Sequence, residues 1–176
     1  KIADTVAIPV TNDTARNIYQ YQWKGNRIIY LQDIGGDENF QMFSVAADGK
    51  DLKPLTPLAK VRTEILDSWR DIPGKEKEMM IGLNKRDARY FDPYSINIET
   101  GELKVLFQND KNYDNWFTDH TGIIRMATKT DGVNTTYYHR ATESAPFDSL
   151  LTTSYKNQFN IQFFTFDNKN IYVSSN

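Results

Sequence analysis

The sequence predicts an all-β protein: a partial β-propeller of four-stranded antiparallel blades, three complete and part of a fourth. Three observations carry that prediction. Aromatic side chains make up 13% of the 176 residues, with ten Tyr and ten Phe set in short β-branched or aromatic runs between Gly, Asn and Asp. Helical apolar periodicity is not sustained over any helix-length window. Trp23, Trp69, Trp116 and Phe166 recur at intervals of about 46 to 50 residues, each followed by a polar turn and an apolar strand, and a repeat of that length with four short strands is a propeller blade.

The elements follow in order. The turns after the four aromatics are "KGNR", "RDIPGKEKE", "FTDHTG" and "DNKN", and the strands behind them are "IIYL", "MMIGL", "IIRMA" and "IYV". The first unit continues through "QDIGGDEN", "FQMFSVA", "DG" and "LKPL". The second continues through "NKRDAR", "YFDPYSINI", "TG" and "LKVLF". The third adds "TKTDGVN", "TTYYHR" and "FDSLL", and the fourth stops after its first strand pair. These units predict blades at residues 18–58, 61–109 and 113–155, with an incomplete one at 158–176. The best local helix candidate, residues 58–66, reads as a connection between units. The periodic aromatics are expected to pack between neighbouring blades. A sandwich is the other all-β arrangement that the pattern admits.

A propeller usually closes with at least about four blades. The chain therefore reads as an excerpt whose open sides expose apolar faces and strand edges. Self-association is the expected result, with two copies each covering the other's open side. The start, "KIADTVAIPV", lacks both an initiator Met and an apolar signal core and reads as a processing boundary.

Composition excludes several function classes. With 21 basic and 23 acidic side chains the formal charge is -2, so no single-sign field is available to collect a nucleic acid. The absence of Cys removes disulfides, thiolate nucleophiles and Cys-ligated zinc, and is compatible with cytoplasm, periplasm or secretion. No apolar run approaches the roughly 20 residues of a membrane-spanning helix.

The stretch "LQDIGGDENFQMF", residues 31–43, has the look of an oxygen-ligand loop or a phosphate cradle, and fails both tests. An EF-hand loop starting at Asp33 needs a bidentate Glu at its twelfth position, where Ser44 stands. A phosphate cradle needs its glycines to open a helix, and "FQMFSV" is strand-like. The segment reads as a loop between the second and third strands of the first blade. In it Gly35 and Gly36 take positive φ, and Asp33, Asp37 and Asn39 bond their own backbone.

No G-x-S-x-G elbow is present, and His120 and His139 belong to no H-E-x-x-H pair. His120 is expected in a turn and His139 on an aromatic strand. Asp37 and Glu38 are adjacent, which on a strand sends their carboxylates to opposite faces. "KEKE", residues 75–78, reads as a solvated hairpin tip. No catalytic, cofactor-binding or metal-binding residue is expected.

Residues 9–57 ("PVTNDTARNIYQYQWKGNRIIYLQDIGGDENFQMFSVAADGKDLKPLTP") and 81–110 ("IGLNKRDARYFDPYSINIETGELKVLFQND") resemble the N-terminal propeller of the prolyl oligopeptidase family of serine peptidases. The likeness is nearest to its acylaminoacyl-peptidase and dipeptidyl-peptidase-like branches. "YLQDIGGDEN" and "LNKRDARYFDPY" with "TGEL" behind it are the most specific pieces, and all are scaffold motifs. The resemblance implies a two-domain enzyme in which a propeller of seven or eight blades limits access of short peptides to a C-terminal α/β-hydrolase domain with a Ser-Asp-His triad. No residue of that triad carries over onto this sequence. Nor do Asp37 and Glu38 take the role of the acidic residues that anchor a substrate amino terminus in some members, because those lie in an inserted segment with no match here.

The leading expectation is thus the substrate-gating propeller portion of a serine oligopeptidase or exopeptidase, itself without catalytic residues. Loops 33–39, 84–90 and 129–134 occupy equivalent places in successive blades and are expected to share one rim. Asp37, Glu38, Arg86 and Arg89 are the rim residues expected to contact the hydrolase domain or the path of peptide substrates. The alternative is a non-enzymatic protein-interaction propeller resembling the TolB type. A polysaccharide-cleaving propeller fits less well, since it needs a His-rich metal site near the axis and the chain has two histidines.

Overall fold

The computed structural model describes residues 9–157 and 159–175, and no α-helix is present among them. Four antiparallel sheets follow one another along the chain. The first contains β1 (Gln20–Lys24), β2 (Arg27–Gln32), β3 (Gln41–Ala46) and β4 (Lys53–Pro54). The second contains β5 (Thr63–Asp67), β6 (Glu78–Asp87), β7 (Tyr90–Asn97) and β8 (Leu103–Val105). The third contains β9 (Asn115–Thr118), β10 (Ile124–Thr130), β11 (Asn134–His139) and β12 (Asp148–Ser154), and β13 (Phe159–Phe164) pairs with β14 (Ile171–Ser175) in the fourth. Every strand pairs with its neighbour in sequence, so each sheet is a simple meander. This is a partial β-propeller.

Apolar packing between successive sheets holds the stack together. Ile29, Leu31 and Met42 of the first sheet meet Met79, Ile81, Leu83 and Ile96 of the second. Met80 leaves the opposite face of β6 to join Trp69, Trp116, Ile124 and Ala127 between the second and third sheets. Met126, Tyr137 and Phe164 fill the next interface. Because a strand sends alternate side chains to opposite faces, a sheet covered on both sides reads as an unbroken apolar run, which is why "MMIGL" is buried throughout. Gly82 belongs to the same constraint: a Cβ there would lie 3.1 Å from the Cβ of Phe91.

Three expectations are corrected. Residues 58–66, expected as a connection between units, are a connection only in part: Thr63, Glu64, Ile65 and Leu66 lie in β5, which pairs with β6. Loop 84–90 is mostly strand, since Asn84, Lys85, Arg86 and Asp87 extend β6 and Tyr90 opens β7, leaving Ala88 and Arg89 as the connection. The four periodic aromatics are not equivalent in space. Trp23 and Trp116 lie inside β1 and β9, whereas Trp69 and Phe166 lie beyond the ends of β5 and β13. Trp69 and Trp116 are buried, but Trp23 is 53% and Phe166 94% exposed: no sheet covers Trp23, and Phe166 meets the third sheet only at a turn, through His120.

Candidate functional site

Within each sheet the strand connections divide between two ends. At one end lie the connections between second and third strands, which hold Asp37, Glu38 and Arg89, with Arg86 near the end of β6, together with the links from one sheet to the next. Asp37 and Glu38 are exposed in the loop between β2 and β3. Asp37 accepts the Asn39 backbone N–H at 3.0 Å, a local turn closure, while Glu38 takes φ 58. Gly35 and Gly36 have positive φ, as expected, and Gly36 lies against the Arg16 guanidinium.

Asp33 is the organising acid of this loop. Arg16 Nε and Nη2 donate to its two oxygens at 2.9 and 2.7 Å, a bidentate pair that ties the entering chain to the end of β2. The hydrogen bond from Arg16 holds the Asp33 carboxyl below its ordinary value.

Arg86 makes the corresponding fork in the second sheet. Its Nε and Nη2 donate to buried Asp92 at 3.0 and 2.9 Å, and Nη2 also reaches the Asn109 carbonyl at 2.9 Å. Asp92 accepts the Asn109 N–H as well, and the fully buried Asn109 amide bonds Tyr113 through both its oxygen and its nitrogen. Arg86 therefore locks the β6–β7 hairpin onto the segment leading to the third sheet. Arg89, largely exposed, grips Asp87 two residues away, and its side-chain hydrogen bonds push the Asp87 carboxyl down to about 2.

At the opposite end, the turns between first and second strands couple each sheet to the next. Buried Lys24 donates from Nζ to the carbonyls of Ser68 and Trp69 at 2.7 and 2.8 Å; burial pushes its pKa down, with Asp67 and Glu76 opposing. Thr118 Oγ1 donates to Asp67 Oδ2, joining the third sheet to the second. His120 bonds the Phe164 carbonyl through Nε2 at 2.8 Å, and its backbone N–H donates to Asn168 Oδ1 at 3.0 Å, joining the third to the fourth. His120 thus sits in a turn, stacked on Phe166.

Asp67, Asp119 and Asp167 repeat one task. Each accepts the backbone N–H two residues on, at 2.8, 2.9 and 3.1 Å, and so closes its turn. Burial raises the Asp119 carboxyl, but hydrogen bonds from Thr121, Ile123 and Arg125 outweigh this and hold it below its ordinary value. Arg125 Nη1 lies 3.1 Å from Asp119, and its Nη2 lies 3.5 Å from Nε2 of His139. Burial and then the Arg125 charge push the His139 pKa down, with Asp148 opposing. Of these coupling residues the sequence reading singles out the two histidines, and neither for this role; Lys24, Asp67, Thr118 and Asp119 it passes over. The signal was the recurrent Asp, which the more conspicuous aromatic period obscured.

The turns border a groove of about 640 Å³ lined by Asp67, Arg70, Asp71, Thr118, His120 and Phe166, among others, on the first strands of the second to fourth sheets. The groove is polar at its turn end and aromatic along its strands. Among the described residues no group of three or more His, Cys, Asp or Glu is placed to hold a metal ion, and neither histidine bonds a hydroxyl. Among the described residues no helix is long and apolar enough to cross a membrane.

No family model matches the chain. Among curated proteins, it is 30% identical over 155 residues to dipeptidyl aminopeptidase BIII of Pseudoxanthomonas mexicana, a match covering 82% of the chain and 22% of that protein. It is 27% identical over 147 residues to dipeptidyl peptidase family member 6 of Caenorhabditis elegans, covering 77% of the chain and 19% of that protein. The chain thus spans about a fifth of the length of these relatives. Blade architecture and sequence relationship agree: over most of its length the chain is similar to part of these dipeptidyl peptidases, and its fold is a partial β-propeller.

Proposed function

We propose that this chain is the propeller portion of a larger serine-type peptidase that removes short units from peptides, and that it gates and scaffolds the reaction without supplying catalytic groups. The carrying observation is the match to dipeptidyl aminopeptidase BIII across most of this chain but only 22% of that protein, in a region made wholly of β-blades. The uses found for the charged side chains support the reading. Arg86, Lys24, Asp67 and Asp119 are committed to holding sheets and turns together.

In this reading the loop bearing Asp37 and Glu38, together with Arg89, faces the parent's α/β-hydrolase domain or the path of the peptide. Arg86 serves that rim indirectly by fixing the hairpin that carries Arg89. The exposed aromatic faces, Tyr21 with Trp23 in the first sheet and Phe163 with Tyr172 in the fourth, receive further blades of the parent.

Active-site labelling with a fluorophosphonate probe tests the proposal, with the 176-residue chain as control. Labelling of the intact gene product alone is the expected result. Absence of labelling in both overturns it and favours a non-enzymatic interaction propeller.

A further inference from the structure

Both histidines of the chain lie on the seam between the third and fourth sheets, and both converge on Phe164. His120 Nε2 meets the Phe164 carbonyl at 2.8 Å. A carbonyl only accepts, so Nε2 carries the proton there and keeps it whether or not Nδ1 is protonated as well. His139 reaches the same residue through Arg125. Side chains alternate along β11, so Tyr137 and His139 face the fourth sheet, while Tyr138 and Arg140 face the second.

Three groups set the Arg125 guanidinium. Nε donates to the Arg140 carbonyl at 2.8 Å, Nη1 to Asp119 Oδ2 at 3.1 Å, and Nη2 lies 3.5 Å from His139 Nε2. So placed, its Cζ stands 5.8 Å from the centroid of the Phe164 ring, a cation–π contact across the seam. Arginine has donors and no acceptor, so His139 Nε2 meets Nη2 with its lone pair, and the ring is the neutral tautomer protonated at Nδ1. A second proton would set N–H against N–H and one positive charge against another. The charges that act on the ring are Arg125 and, opposite it on β12, Asp148. Asp148 is exposed and screened by water, whereas Arg125 is largely buried, so the repulsion is the stronger of the two. Arg140, next in sequence, turns its guanidinium to Phe107 and Phe147 on the other face.

We propose that His139 is an acid-sensitive switch on the seam between the third and fourth sheets. Protonation turns its Nε2 from acceptor to donor, displaces Arg125 from the Phe164 ring and weakens the packing of Phe164 on Met126, while His120 keeps its own bond. Burial and the Arg125 charge, which hold the imidazole below its ordinary value, place the change in mild acid. The other two seams carry no histidine: Lys24 joins the first sheet to the second and Thr118 the second to the third, and neither changes charge there. Only the fourth sheet is therefore released. The switch belongs to the blades and does not depend on the peptidase reading.

Hydrogen exchange by mass spectrometry on the intact gene product, with rates corrected for the intrinsic effect of pH, reads each seam separately. Between about pH 7.5 and about pH 5 the protection of β13 should fall about two- to tenfold, the worth of one hydrogen bond, with β6 unchanged. His139→Gln keeps an acceptor for Arg125 and does not titrate, so it should abolish the dependence on pH. His120→Gln should lower the protection of β13 at every pH and leave the dependence in place. Asp148→Asn, at an exposed position that folding tolerates, removes the opposing charge and should move the midpoint of the loss to lower pH. Protection of β13 indifferent to pH, an equal loss in β6, or a response that survives in His139→Gln or vanishes in His120→Gln overturns the proposal. Should His139→Gln fail to fold, an unmoved midpoint in Asp148→Asn overturns it as well.

Discussion

β6 and β14 are both apolar strands, "MMIGL" and "IYV" at their centres, yet all five of the former residues are buried while Tyr172 and Val173 are exposed. The difference lies in the neighbours. β6 belongs to a sheet packed on both faces, whereas β14 belongs to the fourth sheet, which meets protein on one side through Ile171 of β14 and Phe164 of β13. The same contrast separates Trp116, almost wholly buried between the second and third sheets, from Trp23, exposed on the first. In a blade repeat, composition specifies the strand, and the adjoining sheet converts that strand into core.

The largest effect that sharpens this contrast is at the tryptophans. Trp116→Ala removes a ring packed against Phe107, Tyr113 and Phe147 and should cost about 3 to 5 kcal/mol in urea unfolding. Trp23→Ala in the same chain should cost less than about 0.5 kcal/mol. Equal costs would break the comparison.

Next comes the coupling between sheets. Thr118→Val removes the bond to Asp67 while keeping the side-chain shape, and should cost about 1 kcal/mol by the same assay, because Asp67 is left with one partner fewer. No change would show that the second and third sheets are held by apolar packing alone.

Smaller still is the effect of Arg89 on Asp87. The folded-state pKa of Asp87 is depressed from 3.8 to about 2, so the pair's contribution is fully present above 3.8 and is lost as pH falls toward 2. Arg89→Ala should move the Asp87 carboxyl resonance midpoint upward toward its ordinary value, with little change in thermal midpoint near neutral pH. His139 gives a companion titration. Its lowered folded-state pKa means that stability is fully present above 6.5 and declines as pH falls below that value. Arg125→Gln should raise its imidazole midpoint by NMR, since it removes a like charge.

The strands were legible because the repeat sets them at regular spacing and the apolar runs 28–31, 79–83 and 171–173 leave no room for helical periodicity. The turn at Asp33 was legible because its glycines demand positive φ. The residues joining the sheets were less so. Lys24, Thr118 and His120 act on partners 44 to 51 residues away, and single-sequence patterns carry no record of such contacts. Arg86 was noticed as a rim charge, and only the fold reveals Asp92 and Asn109 beneath it. The burial of Trp69 and the exposure of Phe166 depend on the sheets beside them, which aromatic spacing does not encode.

On the proposed reading these sheets are consecutive blades whose outer members meet further blades in a larger protein. Hydrogen exchange by mass spectrometry, run on the 176-residue chain and on the intact gene product, tests it most directly. Equal, strong protection of β6 and β10 is expected in both, with β1 and β14 gaining protection only in the intact product. Exchange of β1 and β14 at the same fast rate in both would contradict it.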